Sequence, residues 1–282
     1  MLPERMKILL CACFFGLSCL LAAGHAPAEE AILKPLVTHL AKAPKSVLLV
    51  GNSFMYYNNG VGSYARQISV DQHDPMSFTM ATIGGAGLDW HLVKSYLRPN
   101  GLRSYSTKND GSNRLIFHEY PDGRIFDAVI LQDNSQGPIH PELSKLFRKY
   151  AAIHCKDIRE VGSEPLIMMT WAYADKPEMT ALLANATIEV ANENRAMVVP
   201  VGLAFANAKK GRPDLRLIVA DNRHPTPAGT YLEGCVIFAT LSGKSPVGAK
   251  CTGVGDARIS EADARYLQEV AWRTVKDFFG WD

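Results

Sequence analysis

Val47-Leu48-Leu49-Val50-Gly51-Asn52-Ser53-Phe54 is the stretch that decides the fold. Four apolar residues run without a break and stop at a glycine followed by two polar residues. A run this short and wholly apolar suits a strand covered on both faces. The same signature recurs down the chain. Phe78 to Ile83 precedes Gly84-Gly85, and Ala128-Val129-Ile130-Leu131 precedes Gln132-Asp133-Asn134. Leu166-Ile167-Met168-Met169 and Met197-Val198-Val199 complete the set. Helical stretches lie between and after them at Leu88–Leu97, Pro141–Glu160, Glu178–Arg195, Pro227–Leu241 and Ser260–Phe279. Such alternation implies a mostly parallel five-stranded sheet with helices on both faces, an α/β class fold. Residues 100–125 break the pattern and read as a hairpin or loop excursion.

Composition fits this picture. At 282 residues, 47% hydrophobic and 21% charged, the chain can bury a full core without metal or disulfide staples. Thirty Lys and Arg stand against 28 Asp and Glu, so nothing electrostatic points to nucleic acid or to an acidic polymer. Residues 1–28 read as a cleaved signal peptide. Arg5 and Lys7 are its basic start, Ile8 to Ala23 its apolar run and Ala26-Pro27-Ala28 its small-residue cleavage site. The expectation is one domain over 29–282, periplasmic or secreted, with no stable membrane insertion after cleavage. Cys155, Cys235 and Cys251 remain in that domain, which allows at most one internal disulfide; whether Cys235 and Cys251 form it stays open.

In open α/β sheets the chemistry sits beyond the carboxyl ends of the strands. Those ends hold Ser53, Gly84-Gly85, Asn134, and Trp171 with Tyr173; a late loop adds Asp221-Asn222-Arg223-His224. A serine hydroxyl is a weak nucleophile until an imidazole takes its proton, and the imidazole needs an acceptor on its other nitrogen. Asp221 and His224 can meet that second need within one loop. Pro225 biases His224 away from helical angles, and Thr226 can cap a helix that starts at Pro227. Ser53 alone would read first as a helix cap. His73, His91, His118, His140 and His154 show no metal-ligand spacing and read as surface or core histidines. No P-loop or dinucleotide fingerprint is present, and Gly51-Asn52-Ser53-Phe54-Met55 lacks the second glycine of a nucleophile elbow.

Four blocks together resemble the SGNH (GDSL-type) hydrolases, in particular a bacterial secreted branch. They are residues 47–54 with Ser53, 83–88 with Gly85, 129–136 with Asn134, and 221–232 with Asp221 and His224, in family order. The resemblance implies a three-layer α/β/α flavodoxin-like sandwich and a serine esterase needing no cofactor or metal. Ser53, His224 and Asp221 would be the triad. Ser53, Gly85 and Asn134 would form the oxyanion hole, and Trp171 and Tyr173 would contact substrate. Two departures stand out. Asn52 replaces the family's Asp, and Gln132-Asp133-Asn134-Ser135 replaces Gly-x-Asn-Asp, so Gln132 could compete with Asn134 for the oxyanion.

The expected partner is a small-molecule or glycan ester with a short acyl group, an O-acetylated carbohydrate being the leading case. Aromatic and polar residues at the strand ends, Tyr56, Tyr57, Asn58 and Trp90 among them, suit a sugar ring better than an alkyl chain. A catalytically silent glycan-binding protein and an O-acyltransferase are the alternatives.

Overall fold

The structure is a computed structural model that describes residues 31–99, 101–102, 104–107, 115–118 and 126–282. The expected signal segment lies outside the described residues. In chain order the strands are β1 (Ser46–Gly51), β2 (Ser77–Thr82), β3 (Ser104–Thr107), β4 (Leu115–His118), β5 (Ala128–Leu131), β6 (Glu164–Met168), β7 (Met197–Val199), β8 (Gly253–Val254) and β9 (Ala257–Arg258). The helices are α1 (Ser53–Tyr56), α2 (Val61–Asp71), α3 (Val93–Tyr96), α4 (Leu143–Glu160), α5 (Met179–Glu193), α6 (Val201–Gly211), α7 (Pro227–Ser242) and α8 (Glu261–Phe279).

The five expected apolar runs form one parallel sheet in the order β2-β1-β5-β6-β7, the flavodoxin-like winding. Strand residues alternate between two cores, as a period of two requires. Leu49, Ile130, Leu166 and Val199 face one core, built with α2, α6, α7 and α8. Leu48, Val129, Ile167 and Val198 face the other, built with α3, α4 and α5. Each fully buried Leu or Ile contributes about 1.5–3 kcal/mol. The excursion at residues 100–125 contains β3 and β4, paired antiparallel from Ser104↔His118 to Thr107↔Leu115.

Three details depart from the sequence reading. β2 is not covered on both faces. It is the sheet edge, and Met80 and the following Ile83 are 37% and 38% exposed. The helix expected over Leu88–Leu97 is broken into a 3₁₀ turn, Leu88–Trp90, and the short α3. His91 between them is extended because its ring is drawn inward, where Nε2 donates to the Gly51 carbonyl at 3.0 Å. Helices α2 and α6 were not expected; Gly60 and Gly62 disguise the start of one, and Pro200 is the N-cap of the other.

α7 is the most enclosed helix. Every residue from Ala228 to Leu241 is buried, as a helix apolar all round demands. Its start is the one the sequence announced. Thr226 is the N-cap and accepts from the Gly229 N–H, with Pro227 in the first turn. Within it Glu233 is fully buried with neither carboxyl oxygen hydrogen-bonded, and burial raises its pKa well above the ordinary carboxylate value. Cys155, Cys235 and Cys251 are all free thiols and buried.

Candidate active site

β1 delivers the chain to a sharp turn at Gly51-Asn52, and α1 begins at once with Ser53. The cap of α1 is Asn52, whose Oδ1 accepts from the Phe54 N–H. That leaves the Ser53 hydroxyl free for another partner. The partner is His224, with Ser53 Oγ 2.8 Å from Nε2. His224 Nδ1 is 2.5 Å from Asp221 Oδ2. An ionised carboxylate can only accept, so Nδ1 carries the proton and donates to Asp221. Nε2 is then the acceptor for the Ser53 hydroxyl.

Asp221 is held ionised. Burial pushes its pKa up, but hydrogen bonds from the His224 ring and from the Arg223 and His224 N–H groups outweigh that and bring it down to about 2. The ring of His224 is gripped from the serine side. Tyr57 stacks flat on it, with centroids 4.3 Å apart and planes at 4°, and Phe54 meets it edge-on at 5.7 Å. Asn58 ties the same segment to the histidine loop, donating from Nδ2 to the Pro225 carbonyl at 3.0 Å and to Thr230 Oγ1 at 2.8 Å. Asn58 holds a left-handed φ of 53°, which Asn tolerates better than most residues.

A cavity of about 310 Å³ opens at this point, lined by Ser53, His224, Gly85, Asn134, Tyr56 and Arg223 among others. Among the described residues the Ser53 and Gly85 N–H groups donate to nothing in the protein. Gly85 takes φ +76°, where a side chain would be strained, so its backbone can turn to the cavity. Asn134 Nδ2 spends one N–H on the Gly85 carbonyl at 3.1 Å and keeps the other. The structure therefore brings Ser53, Gly85, Asn134, His224 and Asp221 together.

Gln132 is elsewhere. It is fully buried under the serine turn. Its Oε1 accepts from the Asn52 N–H at 3.2 Å, and its Nε2 donates to Asn52 Oδ1 and to the Asp133 carbonyl. Both ends of the amide are used, so it does not compete with Asn134. Trp171 corrects the sequence reading. It is 0% exposed and does not line this cavity. Its ring is stacked between Phe54 and Phe205 at 4.2 and 4.3 Å, and its Nε1 donates to the Arg223 carbonyl at 2.8 Å. It supports the wall rather than forming it. Tyr173 is half-buried and does not line the cavity either, but its hydroxyl is 2.7 Å from Oγ of Ser135, which does.

The sequence reading missed a buried polar cluster below the site. Asn52 Nδ2 donates to the Ala86 carbonyl at 2.8 Å and to the Asp133 carbonyl at 3.1 Å. Asp133 is 4% exposed and accepts from the Leu88 N–H at 2.7 Å. A Cβ at Gly137 would come within 2.1 Å of its carboxylate, so any larger residue there would have to push the Asp133 side chain aside. Burial raises the Asp133 pKa to about 7, against the opposing Leu88 and Asn134 N–H bonds. These side chains bind the serine turn, the Gly85 loop and the Asn134 loop into one unit. His154 adds to it, donating from Nε2 to the Leu88 carbonyl at 2.9 Å. A run of polar residues at two strand ends was the signal available for this cluster.

No family model matches the chain, and neither does any curated protein. Solved structures do. A DUF4886 family protein from Bacteroides uniformis aligns at 17% identity and TM-score 0.57, over 84% of this chain and 96% of that one. A protein from Slackia heliotrinireducens whose description names an SGNH hydrolase aligns at 21% identity and TM-score 0.51, over 70% and 98%. At these identities the likeness is one of fold, and the chain shares with them the three-layer α/β/α sandwich on a mostly parallel five-stranded sheet.

Proposed function

We propose that the protein is a serine hydrolase of carboxylic esters. The observation that carries this reading is the continuous chain Asp221–His224–Ser53, at 2.5 and 2.8 Å, opening on a cavity with unused N–H donors. Ser53 Oγ bonds to the ester carbonyl carbon as its proton passes to His224 Nε2. The carbonyl oxygen becomes an oxyanion, met by the Ser53 and Gly85 N–H groups and the free Asn134 N–H. The bond to the leaving alcohol then breaks, and Nε2 returns its proton to the departing oxygen. Water, deprotonated by the same nitrogen, releases the acid and frees Ser53. Asp221 keeps the imidazole in the required tautomer throughout.

The substrate we propose is a short-acyl ester, with an O-acetylated carbohydrate as the leading case. The small cavity supports a short acyl group. Tyr56 at 41% exposure and Trp90 at 59% supply aromatic faces of the kind that sugar rings use. A fall of kcat/KM from acetyl to dodecanoyl esters is expected, and a steady climb would refute the preference. We also propose export, with mature protein beginning at Glu29; the mass of protein recovered from the periplasm or medium tests this.

The deciding experiment is labelling with a fluorophosphonate probe, alongside turnover of p-nitrophenyl acetate. The wild type should label at Ser53. Ser53→Ala and His224→Ala should each lose roughly 10⁴–10⁶ in kcat, and the double variant little more, because the groups act as a unit. Turnover near wild type in Ser53→Ala sinks the mechanism, and a wild type that neither labels nor turns over ester points to a silent binding protein.

A further inference from the structure

The wall of the cavity beside His224 is formed by Arg223. Its backbone is fixed at both ends. The N–H donates to Asp221 Oδ1 at 3.0 Å, and the carbonyl accepts from the buried Trp171 indole at 2.8 Å. Its side chain is exposed, and its guanidinium pairs with no carboxylate among the described residues. Asp221, the acid nearest in sequence, already accepts from the histidine ring and two backbone N–H groups. No Asp or Glu lines the cavity among the described residues. The site thus carries one permanent positive charge, on a backbone that cannot drift.

The side on which that charge lies is informative. In the hydrolysis proposed above, His224 Nε2 hands its proton to the departing oxygen, so the alcohol portion of the ester sits on the histidine side. The oxyanion donors Gly85 and Asn134 come from other loops. We infer that Arg223 binds an anionic group, a carboxylate, sulfate or phosphate, carried by the alcohol portion of the substrate. The substrate class narrows accordingly to short-acyl esters of acidic alcohols, acetylated acidic saccharides included. Guanidinium suits such groups because its planar N–H fork matches two oxygens at once. This inference rests on the hydrolase reading.

The test compares two acetyl esters that differ in one charge, 4-acetoxybenzoate and its neutral methyl ester. Each rate is divided by that ester's own hydroxide-catalysed rate. The wild type should favour the anionic ester about tenfold in kcat/KM, mostly through KM, and added salt should shrink the ratio. In Arg223→Gln the ratio should fall close to one, and Arg223→Lys should keep part of it. A wild-type ratio near one, or an Arg223→Gln variant that slows both esters by the same factor, overturns the inference and leaves the hydrolase reading intact. Absence of turnover of either ester by the wild type removes both.

Discussion

Putting the acid of the resembled family back at position 52 should damage this protein. The Asn52 amide is 2% exposed and gives both its N–H groups to carbonyls, Ala86 at 2.8 Å and Asp133 at 3.1 Å. In Asn52→Asp an oxygen replaces that nitrogen and faces two carbonyl oxygens. Ionised, it is a buried charge with no donor on that side, worth a loss of about 3–5 kcal/mol. Protonated, it can serve one carbonyl and must forgo the other, a loss of about 1 kcal/mol. Holding an ordinary Asp of pKa about 3.9 protonated at pH 7 adds about 4 kcal/mol, and at pH 5 about 1.5 kcal/mol. The folded-state pKa of the introduced carboxyl is raised above its unfolded value, so the native form keeps a proton that the unfolded chain releases. Stability is therefore lost as pH rises from about 4 towards 7. The penalty should be about 4–5 kcal/mol at pH 7 and about 2.5 kcal/mol at pH 5, against a typical total of 5–15 kcal/mol. Urea unfolding of both proteins at the two pH values measures it. A penalty below about 1 kcal/mol, or one that does not change with pH, would show that Asn52 is not the double donor described.

Two other outcomes are expected. Asn134→Ala should lower kcat by roughly 10²–10³ with KM little changed, as for a donor used mainly in the transition state, whereas Gln132→Ala should lower stability first; steady-state kinetics and urea midpoints separate them, and the reverse pattern would return the oxyanion role to Gln132. Asp133, pushed up to about 7, binds a proton in the native state that the unfolded chain has lost above pH 4, so wild-type stability should fall by up to about 1.4 kcal/mol per pH unit between pH 4 and 7. Asp133→Asn should flatten that slope, and an unchanged slope would assign the pH dependence elsewhere.

What could be read in the sequence was local. Ser53 behind an apolar run, and Asp221 three residues ahead of His224, are short-range patterns, and a parallel sheet with helices on both faces followed from the alternation of five runs with helical stretches, its winding being implied by the resemblance alone. Thr226-Pro227 marked the start of α7 for the same reason. What could not be read depends on partners far apart in the chain. Asn52 and Gln132 exchange hydrogen bonds across 80 residues, and neither spacing nor polarity announces this. Trp171 follows β6 as a site residue would, yet a lone aromatic does not say which way it turns, and Phe54 and Phe205 claim both its faces. Arg223 stands between Asp221 and His224 in the sequence, but that its guanidinium finds no carboxylate among the described residues depends on which acids the fold brings near it. β2 looked like an inner strand because its apolar content resembles that of one, whereas edge position is a property of the whole sheet.

The enclosure of α7 sets the two walls of the site apart. His224 stands two residues before the N-cap of a helix whose fourteen residues from Ala228 to Leu241 are all buried between other elements. Fraying that helix would expose the main core, so amide exchange along it should require opening of the whole molecule. The opposite wall is anchored differently, through the Asn52 bond to the Ala86 carbonyl and the Leu88 N–H bond to Asp133. Gly84 and Gly85 are exposed, and they follow the edge strand. The base thus stands at the mouth of the slowest-opening helix of the fold, and the Gly85 donor on a loop whose hold is a handful of buried polar bonds, so the two jaws that meet the substrate are kept in place by different means, one by apolar packing and one by hydrogen bonding.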